Sequence, residues 1–248
     1  MASTHGCPNE RQAVILAGGL GTRMRPITET IPKPMIAVAG KPFLWWQLEL
    51  FGKGGIGSAL LLVAYLGEQI EEYFGDGKDF GTRVEYSYES SPLGTGGALK
   101  NAEGKLQEWF VLANGDTYLA IDYEKLARDF VEANCAAMIV AYEKPTPATA
   151  DVPASGLPGN LGVSADGTGT VTVYRKREPQ GLNYIDAGVI VLKKEILASL
   201  STGQKCSLEE EIYPQLIARG EMRAWVTREP FYDMGSPEGL AALEAKLA

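Results

Sequence analysis

Residues 12–25 read Gln-Ala-Val-Ile-Leu-Ala-Gly-Gly-Leu-Gly-Thr-Arg-Met-Arg, so a short apolar run leads directly into a glycine-rich loop that carries cations. The apolar run suits a buried strand. Three glycines within four positions let the backbone approach a ligand closely and direct several N–H groups into one concavity. Arg23 and Arg25, followed later by Lys33, add positive charge. The stretch therefore predicts a strand followed by a phosphate-binding loop.

Two common glycine motifs do not account for this loop. A dinucleotide-binding fingerprint starting at Gly19 requires a third glycine at position 24, where Met24 stands. An ATP-binding P-loop requires Gly-Lys followed by Ser or Thr, a sequence that this chain lacks. What remains is a strand, a glycine turn, an arginine, and a lysine flanked by Pro32 and Pro34.

The composition is that of a globular protein, with 248 residues, 45% hydrophobic and 22% charged, and a net charge of −8. This acidic balance argues against nucleic acid or an anionic membrane as a partner. Neither a charged-then-apolar leader nor an apolar run of membrane length is present, so the expected location is the cytoplasm. We expect residues 1–11 to form a flexible tail and residues 12–248 to form a single domain.

The chain has few cysteines and one histidine. Cys7, Cys135 and Cys206 are too widely spaced to indicate a zinc site or a disulfide framework, so free thiols and a reducing environment are expected. His5 lies in the polar N-terminal segment. A mechanism that uses a histidine base is therefore not expected.

From residue 12 onward, segments typical of strands alternate with segments typical of helices. This alternation predicts an α/β fold with a mostly parallel, mixed central sheet flanked by helices. Residues 143–160 contain four prolines and two glycines and are predicted to form a loop or the margin of a lid. Strands are predicted near 12–17, 58–64, 83–87, 109–113, 136–142, 170–175 and 184–192. Helices are predicted near 42–53, 67–74, 95–103, 122–133, 207–219 and 237–247, with Pro42 and Pro237 as first helical residues.

Two further stretches place polar residues where strands end. Residues 89–100 read Glu-Ser-Ser-Pro-Leu-Gly-Thr-Gly-Gly-Ala-Leu-Lys, a glycine cluster that follows a strand and opens a helix. It predicts a second ligand-facing helix N-terminus. Residues 111–117 read Val-Leu-Ala-Asn-Gly-Asp-Thr, an apolar strand that ends in an acid. Since ligands of α/β sheets bind at the carboxyl edge, Asp116 is the best candidate metal ligand in the chain.

A last motif lies near the C-terminus, where residues 231–238 read Phe-Tyr-Asp-Met-Gly-Ser-Pro-Glu. Ser236 stands directly before Pro237 and can cap the last helix by itself. Asp233 is therefore not needed as a helix cap and is available for another role.

The pattern Leu-Ala-Gly-Gly-x-Gly-Thr-Arg with a later Pro-Lys-Pro resembles the signature of the sugar-1-phosphate nucleotidyltransferases, also called NDP-sugar pyrophosphorylases. The other motifs extend the resemblance over residues 12–238. It implies a Rossmann-like nucleotidyltransferase fold. It also implies a reaction in which an oxygen of a sugar 1-phosphate attacks the α-phosphorus of a nucleoside triphosphate and expels pyrophosphate. That oxygen is already ionised at neutral pH, so no base is required.

The resemblance implies roles for individual residues. Arg23 would act on the triphosphate and Lys33 near the reacting phosphates, both as catalytic cations. Asp116 and Asp233 would bind Mg²⁺, a hard cation that prefers carboxylate oxygens. The nucleotide-binding residues implied are Leu16, Ala17, Gly18, Gly19, Gly21, Thr22, Glu89, Pro92, Gly94 and Thr95.

The sugar side departs from the family pattern. Residues 171–177 and 184–189 resemble the family's Phe-x-Glu-Lys-Pro and Asn-Ala/Gly-Gly segments. Arg175 stands where glutamate is usual, Arg177 replaces proline, and Asp186 replaces asparagine. The alternative to Lys176 as the phosphate contact is Arg177, in a register shifted by one residue. The sugar-phosphate contacts implied are Asn114, Lys176 and Asp186.

Glu89 bears on the choice of base, because a carboxylate can accept hydrogen bonds from both N1–H and the exocyclic amine of guanine. Relatives that use dTTP or UTP often carry glutamine there. The motifs look most like those of heptose and mannose 1-phosphate guanylyltransferases, so the expected substrates are GTP and D-glycero-D-manno-heptose 1-phosphate or mannose 1-phosphate. A UTP- or dTTP-dependent hexose-1-phosphate enzyme and a non-catalytic nucleotide-sugar-binding subunit are the alternatives. The oligomeric state also stays open, and a homo-oligomer is one alternative.

Overall fold

A computed structural model describes residues 11–144, 157–177 and 182–248. Most of the expected N-terminal tail and of the 143–160 loop lies outside them. The strands are β1 (Arg11–Leu16), β2 (Ala37–Val38), β3 (Lys41–Pro42), β4 (Ile56–Val63), β5 (Arg83–Tyr88), β6 (Trp109–Asn114), β7 (Thr117–Leu119), β8 (Ala137–Glu143), β9 (Leu161–Val163), β10 (Val171–Tyr174), β11 (Tyr184–Lys193), β12 (Met222–Thr227) and β13 (Phe231–Asp233). The helices are α1 (Phe43–Lys53), α2 (Gly67–Phe74), α3 (Gly94–Asn101), α4 (Tyr123–Ala133), α5 (Tyr213–Ala218) and α6 (Pro237–Leu247).

Nine strands of the described part of the chain form one mixed sheet. Its main path runs β10-β9-β11-β6-β1-β4-β5, and β8 continues from β11 to β12. The strands β6, β1, β4 and β5 are parallel, as are β8 and β12. β11 runs antiparallel to β6, β8 and β9. The predicted mostly parallel, mixed sheet flanked by helices is confirmed.

The central strand β1 is buried on both faces. Ala13 and Ile15 belong to one apolar cluster and Val14 to another, because successive side chains of a strand point to opposite faces. Helices covering both faces are typical of parallel sheets and leave only the strand ends for ligands. A third cluster joins Met24 of the first glycine loop to Met234 and Leu243 near the C-terminus. These contacts hold the loop after β1 beside the last motif of the chain.

The order of the strands reverses at β1. After β1, the chain adds β4 and β5 on one side of β1 within the sheet. It then returns and adds β6 on the other side of β1. Parallel sheets form a crevice at the carboxyl ends of the strands where the order reverses. The loops after β1 and β6, which carry the first glycine motif and Asp116, meet at this crevice.

The structure differs from the sequence predictions in the C-terminal third. β12 was not predicted, although its sequence Met-Arg-Ala-Trp-Val-Thr has aromatic and β-branched residues. The helix predicted at 207–219 begins with a π-helical turn, Leu208–Ile212, and continues as α5. Pro42 lies in β3, and α1 begins one residue later. α6 does begin at Pro237, and the Ser236 side chain accepts a hydrogen bond from the Gly239 N–H at 3.1 Å.

Cys135 and Cys206 are buried and form no disulfide, while Cys7 lies outside the described residues. Among the described residues, the structure has no helix of the length and apolarity that crossing a bilayer requires.

Candidate active site

Glycines allow the loops after β1 and β6 to approach each other. Gly21 adopts a φ of +59°, and a Cβ there would lie 2.8 Å from Thr28 Cγ2. A Cβ on Gly115 would lie 2.4 Å from the carbonyl oxygen of Leu16, and the Gly115 N–H donates to that same oxygen at 3.1 Å. A side chain at Gly115 would push the two loops apart. A side chain at Gly21 would strain the backbone and clash within the first loop, so glycine is required at both positions.

A cavity of about 720 Å³ opens beside these loops. Its walls come from the loop after β1, the segment between β5 and α3, and the end of β6. Gly21, Thr22 and Arg23 lie further along the first loop and are not part of its lining. The predicted site residues that do line it are Leu16, Ala17, Gly18, Gly19, Lys33, Glu89, Pro92, Gly94, Thr95, Asn114 and Asp116.

Lys33 and Asp116 form an ion pair at the edge of this cavity. The Lys33 Nζ donates to Asp116 Oδ2 at 2.5 Å, although the two residues are 83 positions apart. Lys33 is only 8% exposed and stands between the buried residues Pro32 and Pro34. A buried ammonium needs a charged partner, which Asp116 supplies. The structure therefore brings the predicted catalytic lysine and a predicted metal ligand into direct contact.

Asp233 lies next to Asp116 through the antiparallel pair of β7 and β13. Asp233 is paired with Thr117, and the Met234 N–H donates to the Asp116 carbonyl oxygen at 2.9 Å. The Asp233 Oδ1 accepts a hydrogen bond from the Gly235 N–H at 2.7 Å. The two aspartates, 117 positions apart in the sequence, are thus neighbours at the end of one short ladder.

Arg23 reaches the same place from the first loop. A Cβ on Gly235 would lie 2.6 Å from Arg23 Nη2 and 2.7 Å from Asp233 Oδ1. The guanidinium and the carboxylate therefore flank Gly235, whose missing side chain makes room for both. Arg23 itself is exposed and remains accessible to a ligand.

The two aspartates fit a hard divalent cation. Mg²⁺ in proteins is commonly held by one or two carboxylates, with substrate phosphates and water completing six positions. Lys33 binds Asp116 Oδ2, while the contact of Asp116 Oδ1 with Thr117 Oγ1 is long, at 3.4 Å. Within the described ranges, no group of three or more His, Cys, Asp and Glu side chains is arranged to hold a metal. A cation at Asp116 and Asp233 would therefore depend on ligands from substrate and solvent.

The glycine cluster at α3 serves packing more than ligand binding. The N–H groups of Gly96 and Gly97 donate to the Cys206 carbonyl oxygen, at 3.0 and 3.3 Å. A Cβ on Gly97 would lie 2.6 Å from the Gln204 carbonyl oxygen. The prediction of a ligand-facing helix N-terminus is wrong for these two amides, because a neighbouring segment of the chain already binds them. Thr95 and Gly94 still line the cavity.

Glu89 lines the cavity and is partly buried. One carboxylate oxygen, Oε2, accepts a hydrogen bond from the Leu93 N–H at 3.0 Å. Burial raises the pKa of this carboxyl above its usual value, although the Leu93 hydrogen bond opposes the shift. Glu89 is therefore not simply a solvated strand end. Its Oε2 is occupied by the backbone, which leaves Oε1 to meet a base.

A second, small cavity of about 20 Å³ adjoins the large one, because both are lined by Leu16, Thr95 and Asn114. Asp186 lies in its wall. The Asp186 carboxylate accepts hydrogen bonds from the Gly188 N–H and the Tyr174 hydroxyl, both at 2.9 Å. Burial nevertheless raises the pKa of Asp186 to about 6. Asn114 and Asp186, two of the predicted sugar-phosphate contacts, are thus brought together.

Lys176 and Arg177 both pair with glutamates of the π-helical turn. The Lys176 Nζ donates to Ser207 Oγ at 3.2 Å and to Glu209 Oε2 at 3.3 Å. Arg177 Nη2 lies 2.9 Å from Glu210 Oε1, with an 83% exposed side chain. Glu209 is not among the site residues that the sequence predicts, because it lies in a run of three glutamates that belongs to no recognised motif. In the structure it lines the small cavity beside Asp186.

Comparison with known proteins assigns the chain to a family. Residues 12–248 match the family model described as Nucleotidyl transferase. The chain belongs to this family. The resemblance inferred from the sequence motifs is confirmed, and with it the prediction that the protein is an enzyme of the nucleotidyltransferase class.

Relatives from several organisms match most of the chain. The chain is 34% identical to the mannose-1-phosphate guanylyltransferase of Mycobacterium tuberculosis, over 95% of this chain but only 64% of that protein. It is 35% identical to the D-glycero-alpha-D-manno-heptose 1-phosphate guanylyltransferase of Campylobacter jejuni, over 92% of this chain and 96% of that protein. A UTP–glucose-1-phosphate uridylyltransferase of Synechocystis is 31% identical over 84% of this chain and 56% of its own length.

A solved structure of HddC from Yersinia pseudotuberculosis has a TM-score of 0.79 and 31% sequence identity, and the match covers 96% of this chain and 100% of HddC. HddC has also been solved in complex with GMP-PN, with the same TM-score of 0.79. The similarity over the full length of HddC agrees with the nucleotidyltransferase fold that the sequence predicts.

Proposed function

We propose that this chain catalyses Mg²⁺-dependent transfer of a guanylyl group from GTP to a sugar 1-phosphate, giving a GDP-sugar and pyrophosphate. The observation that carries the proposal is the ion pair of Lys33 and Asp116 in the wall of a cavity large enough for a nucleotide, with Asp233 beside Asp116 through the pair of β7 and β13. Cations and a pair of acids that could bind a metal lie at the same edge of the sheet. Such groups can neutralise the charge of two anions that react with each other. Since both substrates are soluble phosphates, the cytoplasm is the proposed location.

The proposed mechanism relies on positioning and charge. The first glycine loop would hold the triphosphate, and Arg23 would neutralise charge that develops on the leaving pyrophosphate. Lys33 would hold Asp116 in place and face the reacting phosphates. Asp116 and Asp233 would hold Mg²⁺, which when bound orients phosphate oxygens and withdraws charge from them. Because the attacking oxygen of the sugar phosphate is already ionised, no side chain of the site needs to remove a proton.

Support for guanine comes from two sources. The relatives at 34% and 35% identity are guanylyltransferases, and HddC, at 31% identity, has been solved with GMP-PN, a guanine nucleotide. In the cavity, Glu89 retains one carboxylate oxygen, which can accept a hydrogen bond from guanine. The acceptor sugar we propose is mannose or D-glycero-D-manno-heptose, as in those two relatives.

A uridylyltransferase is the second candidate. The Synechocystis relative is named for UTP and glucose 1-phosphate. The Leu93 N–H already binds one oxygen of Glu89, which weakens the argument from that side chain alone.

The test is a matrix of GTP, ATP, UTP and dTTP against mannose, heptose and glucose 1-phosphates, read by pyrophosphate release. We expect release with GTP and mannose or heptose 1-phosphate, and loss of release when Mg²⁺ is chelated. Faster release with UTP and glucose 1-phosphate would support the second candidate. No release from any pair would leave the chain as a binding subunit and contradict the proposal.

A further inference from the structure

One carboxylate oxygen connects the two sides of the candidate site. Glu209 Oε2 accepts hydrogen bonds from Thr95 Oγ1 and Ser207 Oγ, both at 2.8 Å, and from Lys176 Nζ at 3.3 Å. Thr95 lines the large cavity, and Lys176 is the predicted phosphate contact on the sugar side. The Glu209 side chain is only 18% exposed and lines the small cavity together with Thr95 and Asp186.

The backbone of this segment is held from both ends. The Leu208 side chain is 1% exposed within the apolar core, and its N–H donates to Thr95 Oγ1 at 2.9 Å. The Ser207 Oγ accepts a hydrogen bond from the Glu210 N–H at 3.3 Å and caps the π-helical turn. The Thr95 hydroxyl thus binds a backbone donor and donates to the Glu209 carboxylate. Glu209 has a defined position before any ligand binds.

Within the part of the chain that the structure describes, Lys176 has no comparable support of its own. Its side chain is 43% exposed. A lysine side chain has a flexible four-carbon stem, so fixing its ammonium requires a partner. Ser207 and Glu209 are the partners in the structure.

The charge state of Glu209 favours its contact with Lys176. Burial alone would raise its pKa, but hydrogen bonds from the backbone, Thr95 and Ser207 and the nearby Lys176 outweigh burial, and the pKa is lowered. The carboxylate is therefore ionised at neutral pH and attracts the Lys176 ammonium.

We propose that Glu209 is a positioning residue, which holds Lys176 at the sugar-phosphate side and ties its position to Thr95 in the nucleotide cavity. This inference rests on the proposed function. It distinguishes Glu209 from its neighbour Glu210, whose partner Arg177 is largely exposed. Exposed ion pairs of that kind contribute little.

The test uses Glu209→Gln with Glu210→Gln as the matched control, because both changes remove one carboxylate from the same turn. Kinetics are measured with GTP and mannose 1-phosphate under saturating Mg²⁺. Losing one charged contact of a lysine to its phosphate predicts a rise in KM for mannose 1-phosphate of about tenfold in Glu209→Gln. We expect the KM for GTP to stay within about twofold, and Glu210→Gln to match the wild type.

A double-mutant cycle separates positioning from a general structural effect. If Glu209 acts through Lys176, Glu209→Gln adds no further increase to the acceptor KM of Lys176→Ala. A thermal unfolding midpoint close to wild type shows that the variant is folded. Should Glu209→Gln fail to fold, Glu209→Asp takes its place in the same cycle. This variant keeps the negative charge but shortens the side chain by one methylene.

Three results would overturn the inference while leaving the proposed function intact. The first is an equal effect of Glu209→Gln on both KM values, and the second is additive effects in the double-mutant cycle. The third is a selective rise of the mannose 1-phosphate KM in Glu210→Gln, which would put Arg177 at the phosphate. A wild-type protein that releases no pyrophosphate from any substrate pair would instead remove the proposed function itself, together with this inference.

Discussion

The nucleotide side and the sugar side of the cleft differ in how their charged groups are held. The Lys33 side chain is 10% exposed and paired with Asp116 at the end of a central strand. Lys176, by contrast, is 43% exposed and is held by side chains of a π-helical turn. Groups fixed by the sheet suit chemistry that requires accurate geometry, whereas groups on adaptable segments suit selection of the acceptor. We therefore expect changes on the first side to affect kcat and changes on the second to affect acceptor KM.

The largest effect is expected for the two aspartates. Asp116→Asn or Asp233→Asn should lower kcat by at least about a hundredfold, because either change removes a negative charge from the proposed metal site. Asp76→Asn is a suitable control, since Asp76 is exposed and pairs with the nearby Lys78. Activity is measured across a Mg²⁺ titration, and near wild-type kcat at saturating Mg²⁺ in either variant would remove that residue from the metal site.

Arg23 should give the next largest effect. Arg23→Ala should lower kcat by about a hundredfold, near 3 kcal/mol, while GTP affinity changes less. Binding of GTP by calorimetry and single-turnover kinetics separate the two quantities. A variant altered only in its GTP affinity would make Arg23 a binding residue.

Changes on the sugar side should affect the KM for the sugar phosphate and not the KM for GTP. Lys176→Ala should raise the KM for mannose 1-phosphate by about tenfold and leave the GTP KM nearly unchanged. Arg177→Ala is the matched comparison, and we expect little change because its pair with Glu210 is exposed. The opposite pattern would show that the register is shifted by one residue.

The choice of base should depend on Glu89 by a smaller factor. GTP should exceed ATP by about tenfold in kcat/KM, because an unmatched buried polar group costs about 1–3 kcal/mol. Glu89→Gln should reduce that margin and improve the relative use of UTP or dTTP. An unchanged ranking would mean that backbone groups read the base.

Asp186 predicts an effect on stability that depends on pH. Its pKa is raised to about 6 from 3.8, so the folded state binds the proton more tightly and stability falls as pH rises from about 4 to 6. Asp186→Asn should raise the free energy of unfolding by roughly 1–2 kcal/mol at pH 8, with a smaller gain at pH 5.

The control for that measurement is Asp166→Asn. Hydrogen bonds from Ser164 and Thr168 lower the pKa of Asp166 to about 2, so its contribution has the opposite sign and its loss should not stabilise the protein at pH 8. Urea unfolding at both pH values gives the comparison. An equal gain for Asp186→Asn at pH 5 and pH 8 would contradict the assignment.

The nucleotide side could be predicted from the sequence because its signals are local. The glycines after β1, the Pro-Lys-Pro segment and Asp116 follow strands that the apolar pattern indicates, and parallel strands end at one edge. Their meeting in the cavity followed from the sheet topology. The contact between Lys33 and Asp116 needed the structure, because nothing local relates residues 83 positions apart.

The sugar side could be predicted only in part. Glu209 lies in a run of three glutamates that resembles a solvated helix face, and only the turn before α5 directs it inward. β12 was missed because its sequence, Met-Arg-Ala-Trp-Val-Thr, lacks a strict polar and apolar alternation and follows a helix closely. The pattern at residues 89–100 predicts a ligand-facing helix N-terminus, since the sequence does not reveal that the segment around Cys206 packs against Gly96 and Gly97.

The most direct test of the central claim follows the phosphorus atoms of GTP. The protein is incubated with mannose 1-phosphate, Mg²⁺ and GTP labelled with ³²P at either the α or the γ position, and the products are separated. Attack at the α-phosphorus predicts that the α label enters the sugar nucleotide and that the γ label leaves as pyrophosphate. Transfer of the γ label to the sugar, or no transfer of either label, would contradict nucleotidyl transfer at this site.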